Sequence, residues 1–212
     1  MKICIPIMAP SLEESVNRIS ELENKKYDML EWRLDCLKGK IKRDSFVETW
    51  NAIRNAAGEK PVIVSLRTKA QGGNRELSVS GYNTAMRKLI SEIRPAYIDL
   101  ELAGCGNDAN VRMLANMAKK RDIGVIVSYR DLCFTESARD IELLLCRMKY
   151  IGADIPMVVY TPNCPQDVDD LIAGAKAARE TVGELIAIST GELGARSREG
   201  AECENCIKWE IE

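Results

Sequence analysis

The chain has 212 residues and not one histidine. No imidazole is on hand for proton transfer near neutral pH, the task that side chain performs most often. An excess of either charge is also missing: 30 basic and 32 acidic residues leave a formal net charge of -2. Without a basic surplus there is no electrostatic signature for nucleic acid or an anionic membrane. No apolar stretch approaches the roughly 20 residues that cross a bilayer. The N-terminal run in MKICIPIMAP is too short for a signal peptide and reads as a first strand. No linker or low-complexity segment divides the chain, so residues 1–212 read as one domain. No Gly-x-Gly-x-x-Gly follows the first apolar run, which removes support for a dinucleotide fold. The expectation is a cytoplasmic protein with neither nucleic acid nor membrane among its partners.

What is present is an ordinary globular composition, 46% hydrophobic and 29% charged, long enough to bury a sizeable core. Strand-like apolar runs alternate with helical stretches. Strands are expected at Ile3–Met8, Met29–Asp35, Pro61–Thr68, Tyr97–Leu102, Gly124–Tyr129, Met157–Thr161, Leu185–Ser189 and Cys206–Ile211. Helices are expected at Leu12–Asn24, Asp44–Ala57, Asn83–Ile93, Asn110–Lys120, Thr135–Ile151 and Pro165–Thr181, with a short one after Gly191. Ser11, Asp44 and Thr135 suit N-caps and Pro165 suits a first turn, while Gly58, Gly124, Gly152 and Gly183 suit stops. Eight such units read as a short (β/α)8 barrel. The sequence stops just after the eighth strand without a closing helix, and a homodimer is the expected way to cover the exposed outer face there.

Period-2 alternation places Glu31, Arg33 and Asp35 on one strand face, opposite Trp32 and Leu34. Asp99 and Glu101 alternate likewise with Ile98 and Leu100, Ser65 shares a side with Arg67, and Ser128 with Arg130. Helices pack outside a barrel, so the polar faces should turn inward. Charges in a lumen are costly unless they pair or serve a ligand.

Several motifs occur in order: Glu31-Trp-Arg33-Leu-Asp35, Ser65-Leu-Arg67-Thr68 with Gln71-Gly-Gly73, Tyr97-Ile-Asp-Leu-Glu101, Val127-Ser-Tyr-Arg130-Asp131, and Ile188-Ser-Thr-Gly-Glu-Leu-Gly194 with Ser197-Arg198. Together they resemble the type I 3-dehydroquinate dehydratase family, the Schiff-base lyases of the shikimate pathway. The resemblance covers nearly the whole chain. It implies that Glu31, Arg33, Arg67 and Arg198 hold a hydroxylated, carboxylate-bearing ring, since an arginine fork grips a carboxylate bidentately. It implies no metal and no cofactor.

The departures fall on the reacting groups. Where the family has its imine-forming lysine, in a strand that reads like GADIPK, this chain has Met157; where the family has the histidine of SYHD, it has Arg130. A thioether cannot condense with a ketone, and an arginine stays protonated at working pH. The family's glutamate before Gly-Gly is Gln71, still able to bond a hydroxyl, the serine of its last strand falls at Cys206, and its final lid loop has no counterpart. Among candidate substitute lysines, Lys149, Lys69 and Lys208, only Lys69 is expected near the barrel mouth. One neutral and one cationic group have become one cationic and one neutral group, so formal lumen charge is conserved while reactivity is lost. The leading expectation is a dehydratase-like protein without the Schiff-base reaction that binds a small carboxylated polyol or another anion. The alternatives are a lyase working by non-covalent acid–base chemistry through Glu31, Asp99 or Glu101, and a regulatory or interaction module. Eight cysteines, with Cys36, Cys105, Cys133 and Cys164 after strands and a Cys203-Glu-Asn-Cys206 pair, admit a metal site, but reduced thiols are the default for a chain with a core and no export signal.

Overall fold

Short runs of aliphatic residues bounded by polar turns do form strands, and each feeds a helix. The structure, a computed structural model, describes residues 1–39, 43–199, 203 and 205–209. The strands are β1 (Lys2–Ile7), β2 (Met29–Arg33), β3 (Val62–Ser65), β4 (Tyr97–Glu101), β5 (Gly124–Asp131), β6 (Ile155–Tyr160), β7 (Ile186–Ser189) and β8 (Ile207–Trp209). The helices are α1 (Leu12–Glu21), α2 (Arg43–Ala57), α3 (Val79–Glu92), α4 (Leu102–Cys105), α5 (Asp108–Lys119), α6 (Ala138–Tyr150), α7 (Pro165–Val182) and α8 (Ala195–Glu199). All strand pairs are parallel, in the order β7-β6-β5-β4-β3-β2-β1-β8, which is the expected (β/α)8 arrangement.

The β7–β8 seam closes by a side chain. The Asn205 amide accepts from Ala187 N at 2.7 Å and donates to Ala187 O at 3.0 Å and Ser197 O at 2.9 Å, while Cys206 N donates to Leu185 O at 3.1 Å. An asparagine amide carries both a donor and an acceptor, so it can stand in for a neighbouring peptide group. Ile211, placed in the last strand from sequence, lies outside the described residues.

Caps decide where helices begin. Ser11 accepts from Glu14 N at 3.1 Å as expected, and Pro165 occupies the first turn of α7. The expected cap Thr135 is displaced by Ser137, which accepts from Asp140 N and also donates to the Asp140 carboxylate, a pairing Thr135 is too far upstream to make. Helix α3 likewise starts earlier than its apolar pattern, at a Ser78 cap. Asp44 falls one residue inside α2 rather than ahead of it, and its side chain lies outside the described set. Gly124 is not a stop but the first residue of β5; α5 instead turns off through Asp122, at φ 56°. Glycine is required at 124 because a Cβ there would sit 2.5 Å from the Tyr97 ring.

Two apolar clusters result. The larger lies between helices and the outer strand faces and includes Trp32, Leu100, Val127 and Val158. The smaller fills the lower lumen with Cys4, Met29, Ile63, Ile126, Ile155, Ile186 and Ile207, and Met157 extends it upward. The lumen is therefore polar only toward the C-terminal ends of the strands. Asn205 is buried at the seam, and Asn205→Ala should lower stability by about 2–3 kcal/mol because it strands buried backbone groups. Urea unfolding checks this; a loss under ~0.5 kcal/mol would mean that the seam closes by other means.

Candidate functional site

The charged layer grows from alternate residues of β2 to β5. Arg67 stands at its centre, just beyond β3 and 2% exposed. Its guanidinium pairs with Asp99 and donates to Ser128 Oγ at 3.0 Å, with Glu101 at 3.5 Å and Glu31 at 3.8 Å. Burial works against its charge, but the three carboxylates more than offset that and hold its pKa above the ordinary arginine range. The carboxylates have further donors. Glu31 accepts from Ser65 Oγ at 2.6 Å and Trp209 Nε1 at 2.8 Å, and Glu101 accepts from Thr68 N at 3.0 Å. Burial leaves the Glu101 carboxyl above its usual range despite Arg67.

Arg33 does not reach Arg67's partners. It clasps Asp35 bidentately, at 2.8 and 2.9 Å. Asp35 has left the strand for a short 3-10 turn, Leu34–Cys36, where it also accepts from Asn74 N and Arg67 N. Burial opposes its ionisation, but Arg33 and these amides hold it below the usual carboxylate range.

Above the apolar lumen lies a cavity of about 430 Å³, within the range of roughly 300–1,000 Å³ typical of small-molecule sites. Glu31, Arg33, Arg130, Thr190 and Arg198 contribute its polar wall; Pro6, Met8, Met157, Val159, Ile188, Ile207 and Trp209 supply the apolar one. Of the residues singled out from sequence, Glu31, Arg33, Arg130, Met157 and Arg198 thus converge here. Arg67 lies beneath the cavity rather than on its wall, locked among carboxylates. Gln71 is also off the wall: its amide accepts from Arg130 N at 2.7 Å and donates to Arg130 O at 3.0 Å. A peptide group needs one donor and one acceptor, so glutamine fits β5 where a carboxylate could serve only the N–H. Both amide heads that could have bonded a hydroxyl are engaged with backbone.

Arg198 is turned to β7, donating to Ser189 O and, at 2.8 Å, to Gly191 O. Gly194 allows that approach, since a Cβ there would fall 2.1 Å from Ser189 O. Arg130 differs from its neighbours. Among the described residues its guanidinium has no hydrogen-bond or ion-pair partner, and its Nε is buried. Burial and the nearby Arg67 charge lower its pKa to about 10, which still leaves it cationic at neutral pH. Met157 is 1% exposed at the cavity floor.

Lys69 follows β3 in a 3-10 turn, residues 69–71, and does not line the cavity. Lys208 does border it, but it alternates with Ile207 and Trp209, both of which pack in the lumen; alternation turns its side chain the other way. Trp209, Thr190 and Asn205 were missed from sequence. Trp209 could have been found from its parity with Ile207; Asn205 acts through a seam that no local pattern reveals. Among the described residues no group of three metal-ligating side chains converges, and Cys105 is buried while Cys133 and Cys164 are exposed. No helix is long and apolar enough to cross a membrane among the described residues.

The sequence model of type I 3-dehydroquinases matches residues 3–203. The 3-dehydroquinate dehydratase of Syntrophotalea carbinolica is 30% identical over 203 residues, 95% of this chain and 79% of that protein. The enzyme of the same name from Klebsiella pneumoniae subsp. pneumoniae is 31% identical over 198 residues, 92% of this chain and 78% of that one. The crystal structure of the type I enzyme from Clostridium difficile with covalently modified comenic acid superposes with a TM-score of 0.92 at 25% identity, covering 99% of this chain and 83% of that one.

Because Arg67 neutralises a buried carboxylate cluster, Arg67→Met should cost about 3–5 kcal/mol at pH 7. Without the cation the folded-state carboxyl pKa values rise, so the native state takes up protons more readily as pH falls. The deficit should therefore shrink between pH 7 and about 5, Glu101 protonating first. Urea melts of both proteins across that range test the sign; a deficit constant with pH would contradict the cluster's role.

Proposed function

This chain belongs to the type I 3-dehydroquinase family, and we propose that it is a member without the family's Schiff-base dehydration, its barrel mouth kept as a binding site for a small carboxylate or other anion. The observation that carries the reading is the Arg130 guanidinium, a cation on the cavity wall with no protein partner among the described residues. A partly buried cation without a protein partner is costly, and an anionic ligand would supply the missing partner.

Met157 supports the loss of chemistry. An imine requires an amine at the floor of the cavity, and a thioether has no N–H to give. Arg130 cannot take the proton at neutral pH, and loss of a general base alone lowers a rate by roughly 10²–10⁴. An acid–base lyase reading would rest on Glu31, the one carboxylate on the cavity wall among the described residues. Both its oxygens already accept from Ser65 and Trp209, which disfavours it as a base. A homodimer is part of the same proposal, to be tested by sedimentation equilibrium against the 23.6 kDa of one chain.

Thermal shift with dehydroquinate, quinate, shikimate and phosphate tests the binding. An anion at 100 times its Kd should add about 2.7 kcal/mol of stability. Arg130→Gln should weaken that anion at least tenfold, yet melt no lower than the wild type in its absence, since it removes an unpaired cation. Borohydride with dehydroquinate should trap no adduct. A trapped adduct would sink the pseudoenzyme reading, and stabilisation unaltered in Arg130→Gln would sink the anchor.

A further inference from the structure

The ligand's carboxylate has an anchor, while the surface offered to its body is largely apolar. Four other polar side chains on the cavity wall, Glu31, Arg33, Arg198 and Thr190, are each oriented by a protein partner. Glu31 is held by Ser65 and Trp209, Arg33 by Asp35, and Arg198 by the Ser189 and Gly191 carbonyls. Thr190 Oγ1 lies 3.1 Å from Thr161 Oγ1. The rest of the lining is largely apolar and includes Met157, Val159, Ile188, Ile207 and Trp209.

Met157 matters here for shape as well as for lost chemistry. It joins the lower-lumen aliphatic cluster to the cavity, so that the apolar surface runs unbroken from floor to wall. A ring hydroxyl set against that surface would give up its water bonds with nothing in exchange, whereas an apolar ring would be favourably desolvated. Small-molecule sites with this make-up, a largely apolar lining with a small number of placed polar groups, orient a ligand through those groups, here through its charged end at Arg130.

Resting on the anion-site reading, we infer that the ligand class of this cavity is an apolar ring carboxylate, aromatic or alicyclic, and not a polyhydroxylated one. The carboxylate pairs with Arg130 while the unsubstituted edge of the ring lies on Met157, Val159 and Ile188. Specificity has moved from hydroxyl recognition to apolar contact, with the charge left in place.

Isothermal titration of the wild-type protein with benzoate and cyclohexanecarboxylate, beside quinate and shikimate at the same pH and salt, decides this. The two apolar acids should bind at least tenfold more tightly than the two polyols, and both should weaken at least tenfold in Arg130→Gln, its folding verified by thermal melt. Should quinate or shikimate bind as well as the apolar acids, the ligand class is wrong while the anion site stands. If none of the four acids binds, or the apolar acids bind Arg130→Gln unchanged, the anion site itself falls and this inference with it. The comparison on the wild-type chain is informative even if the variant fails to fold. A further variant, Val159→Thr, should narrow the gap between shikimate and benzoate, and an unchanged ratio would count against apolar contact as the source of selectivity.

Discussion

Arg67 sits at the centre of the barrel with Asp99, Glu101 and Glu31 around it, and the rest of the mouth is arranged around that cluster. Three carboxylates from β2 and β4 cannot share a dry lumen without a cation among them. Their remaining oxygens draw in Ser65, Thr68 and Trp209 as donors, tying β8 to β2 through the Trp209–Glu31 bond. Asp35 accepts from the Arg67 amide and clasps Arg33, so the loops after β2 and β3 are held by the same charges. The network is structural first: it explains why Arg67 and Arg33 are occupied before any ligand arrives.

Against that background Arg130 is the exception. Its backbone is held by the Gln71 amide, yet its side chain faces the cavity without a protein partner among the described residues. Desolvation and the neighbouring Arg67 charge outweigh the attraction of Glu31 and Asp99, which makes it an uneasy cation. A group held at such cost on the wall of a cavity is a reasonable place for a ligand's negative end. Met157, at the cavity floor, presents a thioether and no amine.

The strand-and-helix alternation that gives the barrel was legible because period-2 and helical patterns are local consequences of which side must be buried. The inward parity of Glu31, Arg33, Asp99 and Arg130 followed from the same rule. Helix starts were less legible. Thr135 and Ser137 offer similar hydroxyls, and only the position of Asp140 three residues beyond Ser137 separates them. The roles of individual polar residues were least legible of all. Gln71 and Arg198 have side chains suited to a ligand, and the fold turns both to backbone groups instead.

Sequence by itself determined the fold class, the inward faces of β2 to β5, and two absences: no histidine anywhere, and no amine at Met157. Those are statements about composition and local order, and no folding can supply a nitrogen that a side chain lacks. Tertiary structure decided which charges are already paired, that Asn205 closes the seam, and that Trp209 meets Glu31 across 178 positions of chain. Pairing between distant residues depends on distances set by packing, which no local pattern records. That pairing leaves Arg130 a cation on the cavity wall without a partner among the described residues.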